Sequence, residues 1–466
     1  MVRVANGQGF WGDDREAPVR QIEGGAIDYL TLDYLAEVTM SIMRRMKDRN
    51  PDTGYATDFV PLMERIFPEC ASRGVTVIAN AGGVNPAGCA RAVADAAARA
   101  GTRARVALVR GDDIADRLEE ITSSGHTLSH MENGEPLTTV LDRVRCANVY
   151  LGAAPVVEAL ARLDAQRDAS REGAASKAKV VVTGRVADAS LTVAPLVHEF
   201  GWSMRRFDLL GAATVAGHVL ECGAQATGGN CMHTWWEIPD LAAVGFPIVE
   251  AGADGGITVT KHVGSGGRVD RATVTEQILY EIGDPAAYAT PDVIADFTGL
   301  SLESDGPDRV RVRGAGGRSR PERLKVSIGV ASGWRATGTM TYAWPDAALK
   351  ARAAARLLGR RLDRLGLGFN ETRAELVGWD SALGPLSGPP PPDLPEVELR
   401  FGVRSESRAA VERFSREIAP LVLTGPPSAT GYLGGRPRVQ EVIAFWPALI
   451  DRDMVEPFVT VDVVEV

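Results

Sequence analysis

A chain of 466 residues exceeds what one hydrophobic core usually holds, about 250–300 residues, so two or three domains are expected. Its 45% apolar and 24% charged residues are those of an ordinary globular protein, which excludes a mainly disordered chain. The 60 acidic against 51 basic residues leave a net charge of −9, which argues against nucleic acid as a partner, since phosphate binders carry a basic excess.

Residues 2–5 form a β-branched run that meets Asn6-Gly7-Gln8-Gly9, which predicts a buried strand and a glycine-rich turn. A second strand is expected over 27–32. Leu35, Val38, Ile42 and Met46 then recur at helical spacing, so residues 34–47 complete a βα unit. The pattern repeats with a helix over 59–73, a strand over 75–79, the turn Asn80-Ala81-Gly82-Gly83, a helix over 86–100 and a strand over 105–109. Strands that alternate with helices and end at Gly, Asn or Asp predict a largely parallel sheet flanked by helices, with ligand-facing loops at its carboxyl edge.

A second set of units follows. Strands are expected over 147–151 and 180–183, and helices over 154–162, 191–200 and 208–222, with a polar loop over 164–177. From residue 248 the texture turns to alternating runs, including 257–263, 309–313 and 325–330, which predict an antiparallel region. Four consecutive prolines, Pro389 to Pro392, forbid helix and punctuate the chain like a linker. Around them, strands over 396–403, 441–448 and 457–463 with a helix over 408–420 predict a small α+β unit.

No run approaches the roughly 18 apolar residues of a membrane span, and the opening MVRVANGQGFWGDD lacks the features of a signal peptide. Five scattered cysteines, an odd number, argue against a disulfide framework. A cytoplasmic location, with no membrane partner, is the expectation.

Four motifs carry candidate chemistry. His218, Glu221 and Cys222 share one side of the expected helix 208–222, so a base, an acid and a thiol can meet in one cleft. The loop after it offers backbone N–H groups with the amides of Gln225 and Asn230, a set that suits a carbonyl or carboxylate. On the strand-to-helix turn 183–190, Arg185 can clamp a carboxylate or phosphate, and Asp188 can serve as base or as helix cap. In the turn 80–85, Gly82 and Gly83 permit close backbone approach while Asn80 and Asn85 can bind a carbonyl; a tight turn with an Asn cap explains them equally. Asn6, with Asp13 and Asp14 beyond it, sits in a comparable loop. These loops are expected to converge on one cleft.

The bland alternative for His218 and Cys222 is burial in an apolar helix. Cys231 and His233 extend a nominal ligand set, but the spacing is too loose for zinc, so no metal and no bound cofactor are expected. Arg309, Arg311, Arg313, Arg318, Arg320, Arg323 and Lys325 form a basic stretch that reads as a charged edge strand or as a phosphate dock. No Walker loop, Gly-x-Ser-x-Gly elbow or His-Glu-x-x-His occurs, which removes the commonest nucleotide, esterase and protease readings.

Several segments also match a known family: DYLTLDYLAEVT at 28–39, NAGGVNP at 80–86, TGRVADAS at 183–190, PLVHEFGW at 195–202, ECGAQATGGN at 221–230 and EQILYEIGDPAAYATPDVIADF at 276–297. By these blocks the chain resembles the acyclic terpene utilisation AtuA-type family over residues 1 to about 345. The resemblance implies an α/β core over 1–345, read as one body or as lobes 1–145 and 146–345. It also implies a small C-terminal α+β, ferredoxin-like domain over 346–466.

For function, the resemblance implies work on branched, citronellol- and geraniol-like acids handled as CoA thioesters. The expected activity is hydration, elimination or C–C lyase chemistry beside the thioester carbonyl. Glu221 or His218 is then the base, with Asp188 a further candidate; Arg185 is the carboxylate clamp, and Asn80 and the glycine-rich loops polarise the carbonyl. CoA enters only as part of the substrate. A homo-oligomer is expected. A non-catalytic binding or assembly protein of the same pathway, and thioester transfer with Glu221 or Cys222 as nucleophile, remain open at this stage.

Overall fold

A computed structural model describes residues 1–165, 177–431 and 435–466; most of the polar loop expected over 164–177 lies outside the described residues. The chain divides into two compact units, one of residues 1–329 and 445–466 and the other of residues 330–444. Where the sequence suggests a single boundary near residue 345, the chain instead leaves the first unit at Gly329 and returns to it at Phe445.

In the first unit, ten described strands make one mixed sheet. Its centre is parallel: Val2–Gln8 pairs with Tyr29–Leu32, then Thr76–Ala79, then Ala178–Thr183, then Ala104–Arg110. Leu30, Leu32, Val77, Ala79, Val180 and Val182 alternate onto one face and pack with Phe59, Met63, Phe67 and Val93 of the helices Phe59–Arg73 and Pro86–Arg99. Strands buried on both faces read as nearly continuous apolar runs, which is the pattern of VIAN and KVVVT.

The expected antiparallel region does not form a separate body. Ile248–Ala251, Ile257–Thr260, Arg309–Arg313 and Ser301–Ser304 extend the same sheet beyond Val2–Gln8. At the far side Thr460–Glu465 pairs antiparallel with Ala104–Arg110, so the last strand assigned by sequence to the small unit belongs to the large sheet. "Largely parallel" therefore holds for the centre only. The sheet as a whole is mixed, because hairpin strands and the late returning strand cap its two edges.

The second unit carries an antiparallel sheet. Glu371–Val377 pairs with Glu396–Ser405, which pairs with Trp334–Ala343 of the strand Arg323–Ala343, and Ala429–Gly431 lies on its other side. The helices Ala347–Arg364 and Arg408–Phe414 supply Leu358, Val411 and Phe414 to a core with Tyr342, Leu399 and Phe401. The expected helix 408–420 ends early, at Phe414, and a short turn of helix, Leu421–Thr424, follows Pro420.

Candidate functional site

In the parallel centre of the sheet, the carboxyl ends of neighbouring strands open on one side, and ligands gather there. Val2–Gln8 runs out into Gly9, Tyr29–Leu32 into Asp33 and Ala178–Thr183 into Arg185, and all three residues line one cleft of about 1480 Å³. Glu221 reaches the same cleft from the end of the helix Phe207–Glu221. Val38 and Ile42, one turn apart on the helix Glu37–Arg49, join Met131, Leu324 and Leu449 as an apolar lining.

The helix Phe207–Glu221 is apolar nearly all round and buried from Leu209 to Leu220 except at Ala212, so it sits inside the unit. His218 is therefore buried, at 1% exposure, against the neighbouring rings of Tyr288 and Phe297. One turn on, Glu221 Oε1 lies 2.7 Å from His218 Nδ1. His218 Nε2 and Glu221 Oε2 have no partner in the protein. Burial pushes the imidazole towards its neutral form, and the adjacent Glu221 carboxylate outweighs this and raises its pKa. Burial raises the pKa of Glu221 as well, partly offset by His218. The two groups form a desolvated, hydrogen-bonded acid–base pair, the kind of arrangement that tunes a carboxyl for proton transfer.

Glycine geometry puts this pair beside the amino-terminal loop. A Cβ on Gly9 would stand 2.8 Å from Gly223 N and 2.9 Å from the carbonyl carbon of Cys222, so only glycine lets the loop lie against the corner after Glu221. Asp13 fixes that loop: its Oδ2 accepts from Gly9 N at 2.9 Å and its Oδ1 from Asp14 N at 2.8 Å. Cys222 also lines the cleft, but burial and the charge of Glu221 push its thiol up to about 12, which leaves it protonated and a poor nucleophile at neutral pH.

Arg185 is buried, at 2% exposure, with its guanidinium carbon 4.2 Å over the Tyr150 ring. Nη1 donates to Leu35 O at 2.8 Å, to Val186 O at 3.3 Å and to Asp188 Oδ1 at 2.6 Å. Burial opposes its charge, and Asp188, Tyr150 and Asp33 more than restore it. The side chain expected to clamp a substrate carboxylate is thus already engaged with one of the protein's own. Its backbone is held from below, where Asp112 Oδ2 accepts from Arg185 N at 2.8 Å and from Asn148 Nδ2 at 2.9 Å. Burial, with a contribution from Asp113, pushes the Asp112 carboxyl up to about 7.

Beside this pair stands Asp33, at 4% exposure. Its Oδ1 accepts from Asn80 Nδ2 at 2.7 Å and from Leu35 N at 3.1 Å. Burial raises its pKa well above the usual carboxylate range, and the negative charge of Asp188 adds to this. Beyond the Tyr150 ring that lies against Arg185, Glu37 accepts from the Tyr150 hydroxyl and from Lys325 Nζ at 3.2 Å; burial works against its charge, yet these partners hold it down to about 2.

Of the residues singled out from sequence, Arg185, Asp188, Glu221, Gln225 and Asn230 line the cleft, with His218 behind Glu221. The other loop does not reach it. Asn80 is fully buried and orients Asp33 and Tyr34 N. Asn85 caps the helix Pro86–Arg99 through Gly88 N and ties down Thr53 O. Gly82 lies against the strand after it, donating to Thr183 O, and Gly83 takes a left-handed turn over Met43. Asn6 bonds Gln8 O inside the sheet. These five residues shape the floor, and the cleft-lining role expected for them is replaced by scaffolding, because polar side chains at buried strand ends must first satisfy the backbone around them.

The basic stretch divides in the same way. Arg309 and Arg311 pair with Glu250 and Asp305, Arg320 with Glu456, and Arg323 and Lys325 line the cleft. Sequence reasoning missed Asp33, Glu37 and Tyr150, and singled out Lys325 only as part of the basic stretch. A signal for Asp33 was present, since it follows a strand directly, as Asn80 does. Among the described residues, no group of three or more His, Cys, Asp or Glu side chains is arranged to hold a metal ion, and no helix is long and apolar enough to cross a membrane.

None of the curated proteins compared with it matches the chain. The model of the acyclic terpene utilisation family protein AtuA matches residues 2–461, essentially the whole length, and the chain belongs to that family.

Proposed function

We propose that the protein is an enzyme of acyclic terpene utilisation that moves a proton beside the carbonyl of a branched acyl substrate carried as a CoA thioester. The overall reaction on this reading is hydration, elimination or C–C cleavage, all of which pass through an enolate. The observation that carries it is the buried Glu221–His218 pair, with Glu221 at the wall of a large cleft and with His218 Nε2 and Glu221 Oε2 both buried without a partner. The apolar lining of Val38, Ile42, Met131, Leu324 and Leu449 fits a methyl-branched chain. The protonated Cys222 thiol speaks against thioester transfer through sulfur.

The smaller unit is read as ferredoxin-like, supported by its strand-helix-strand-strand-helix-strand order and by a sheet whose first strand lies between the third and the last. A homo-oligomer with no bound cofactor completes the proposal.

The test is deuterium exchange. The protein is incubated in D₂O with a branched acyl thioester, and exchange at the carbon next to the carbonyl is followed by mass spectrometry. Exchange that depends on Glu221 supports the reading. A ligand that binds without exchange and without turnover points to the binding-protein alternative.

A further inference from the structure

The acidic side chains around the cleft contradict one expectation and suggest a sharper one. Asp33, Asp188 and Glu221 all line it, and the guanidinium beside Asp33, that of Arg185, donates through Nη1 to two backbone carbonyls and to Asp188, its counter-ion, while its Nε is buried without a partner. A free carboxylate entering beside Asp33 would have to share the Arg185 guanidinium with Asp188, next to the Glu221 carboxyl. An uncharged carbonyl needs only a hydrogen-bond donor.

Asp33 is placed to be that donor. It is a strand-end residue at 4% exposure, and both hydrogen bonds that the protein gives it converge on Oδ1, from Asn80 Nδ2 and Leu35 N. Asn80 is itself held by Tyr34 N at 2.7 Å, which fixes the orientation of the carboxyl. Oδ2 accepts nothing from the protein, although Asp33 lines the cleft. A buried carboxylate is stable only when both oxygens are well supplied with donors, and one bare oxygen beside Asp188 favours the protonated form. With the proton on Oδ2, the acid becomes a rigid donor aimed at whatever acyl oxygen occupies the cleft.

We propose that Asp33 works as a neutral carboxylic acid that donates a hydrogen bond to the substrate carbonyl, and that the cleft therefore selects esterified or thioesterified acyl groups over the free acids. This rests on the reading that the cleft holds an acyl group. It does not depend on which reaction follows. The donor polarises the carbonyl and stabilises the enolate oxygen while Glu221 takes the proton from the neighbouring carbon, so two carboxyl groups act in opposite protonation states within one cleft.

Binding separates the possibilities without reliance on turnover. Methyl geranate and geranate are titrated calorimetrically into the full-length protein at pH 7, with Asp33→Asn alongside. In Asp33→Asn the amide Oδ1 still accepts from Asn80 and Leu35, and the NH₂ group replaces the hydroxyl as donor. The ester should bind at least ~10-fold more tightly than the acid, a conservative value for one like charge in a partly desolvated site. The variant should hold the ester within about threefold of the wild type, by the similar strengths of neutral hydrogen bonds.

Raising the pH should weaken ester binding more in the wild type, where Asp33 ionises, than in Asp33→Asn, where only the shared Glu221–His218 pair and the other common groups titrate. The charged and titratable groups facing Asp33 are Asp188, Arg185 and Cys222, and they are common to both proteins, so the difference isolates Asp33. Binding of the acid equal to or tighter than the ester overturns the proposal and leaves the acyl-binding reading standing. Loss of ester binding in a folded Asp33→Asn also overturns it. Binding of neither compound overturns the proposal and the branched-acyl reading together.

Discussion

Replacing Glu221 with Gln separates chemistry from architecture at the buried pair. The wild-type contact is 2.7 Å between side chains that are 2% and 12% exposed. Gln keeps a carbonyl oxygen where Oε1 stands, so His218 Nδ1–H retains an acceptor, and the amide nitrogen inherits the position of an oxygen that already lacks a partner. What is lost is the charge on one bond. Charge-assisted bonds contribute about 1.5–3 kcal/mol against about 0.5–1.5 for neutral ones, so Glu221→Gln should cost about 1 kcal/mol, or about 1–3 °C in melting temperature for a unit of this size.

The kinetic effect should be larger. Loss of a general base removes at least ~100-fold in rate, equivalent to about 2.7 kcal/mol in the barrier. His218 has a raised folded pKa, so the stability it supplies is full below the unfolded value of 6.5 and fades as pH rises through the folded one. The stability gap between wild type and Glu221→Gln should therefore be wider near pH 6 than at pH 9. Urea melts at both pH values and deuterium exchange on the same preparation measure all three quantities. A folded variant that exchanges at the wild-type rate refutes the catalytic assignment. A loss of about 3–5 kcal/mol with activity per folded molecule intact would mark a structural ion pair instead.

Three further changes probe the scaffold. The Asp112 carboxyl rises from 3.8 to about 7, so at about 1.4 kcal/mol per pKa unit it should remove about 4 kcal/mol of stability as pH climbs through that interval; Asp112→Asn should flatten this part of the pH–stability curve in urea titrations. Gly184→Ala would place a Cβ 2.2 Å from Asp112 Oδ1, and a destabilisation of at least ~2 kcal/mol should appear as a lower urea midpoint, from overpacking together with a disturbed buried carboxyl. Gly9→Ala forces the amino-terminal loop off the corner at Cys222 and Gly223, so exchange activity should fall by at least ~10-fold, on the scale of a misplacement near the reacting groups, with a folded circular dichroism spectrum retained.

The parallel centre was legible because its strands are continuous apolar runs that end in Gly, Asn or Asp, and each expected element of that centre lies within a few residues of the observed one. The helix Phe207–Glu221 and the pairing of its His218 and Glu221 followed from helical spacing alone. Less visible was the distinction between strand-end residues that face a ligand and those that hold the first kind in place. Asn80 and Asp33 follow equivalent strands, yet one is fully buried beneath the other, and only the packing between strands decides which. Arg185 was found at its position in the cleft, but its pairing with Asp188, three residues on, was not foreseen, because spacing alone does not show that Asp188 folds back onto it. The division into units was hidden because Thr460–Glu465 has the same apolar alternation whichever sheet it joins.

That late strand has consequences for how the protein is made. Glu465 pairs with Arg105 across 360 residues of chain, so on the ribosome the large sheet waits with one side open while everything between is synthesised. During that interval Ala104–Arg110 presents unpaired backbone groups that another nascent chain can occupy. The intervening residues 330–444, with their own core, can mature in the meantime. Expression yield should thus depend on elongation rate and on chaperones that cover strand edges, and a nonsense change just before residue 460 should give aggregated protein instead of a slightly shortened, folded chain.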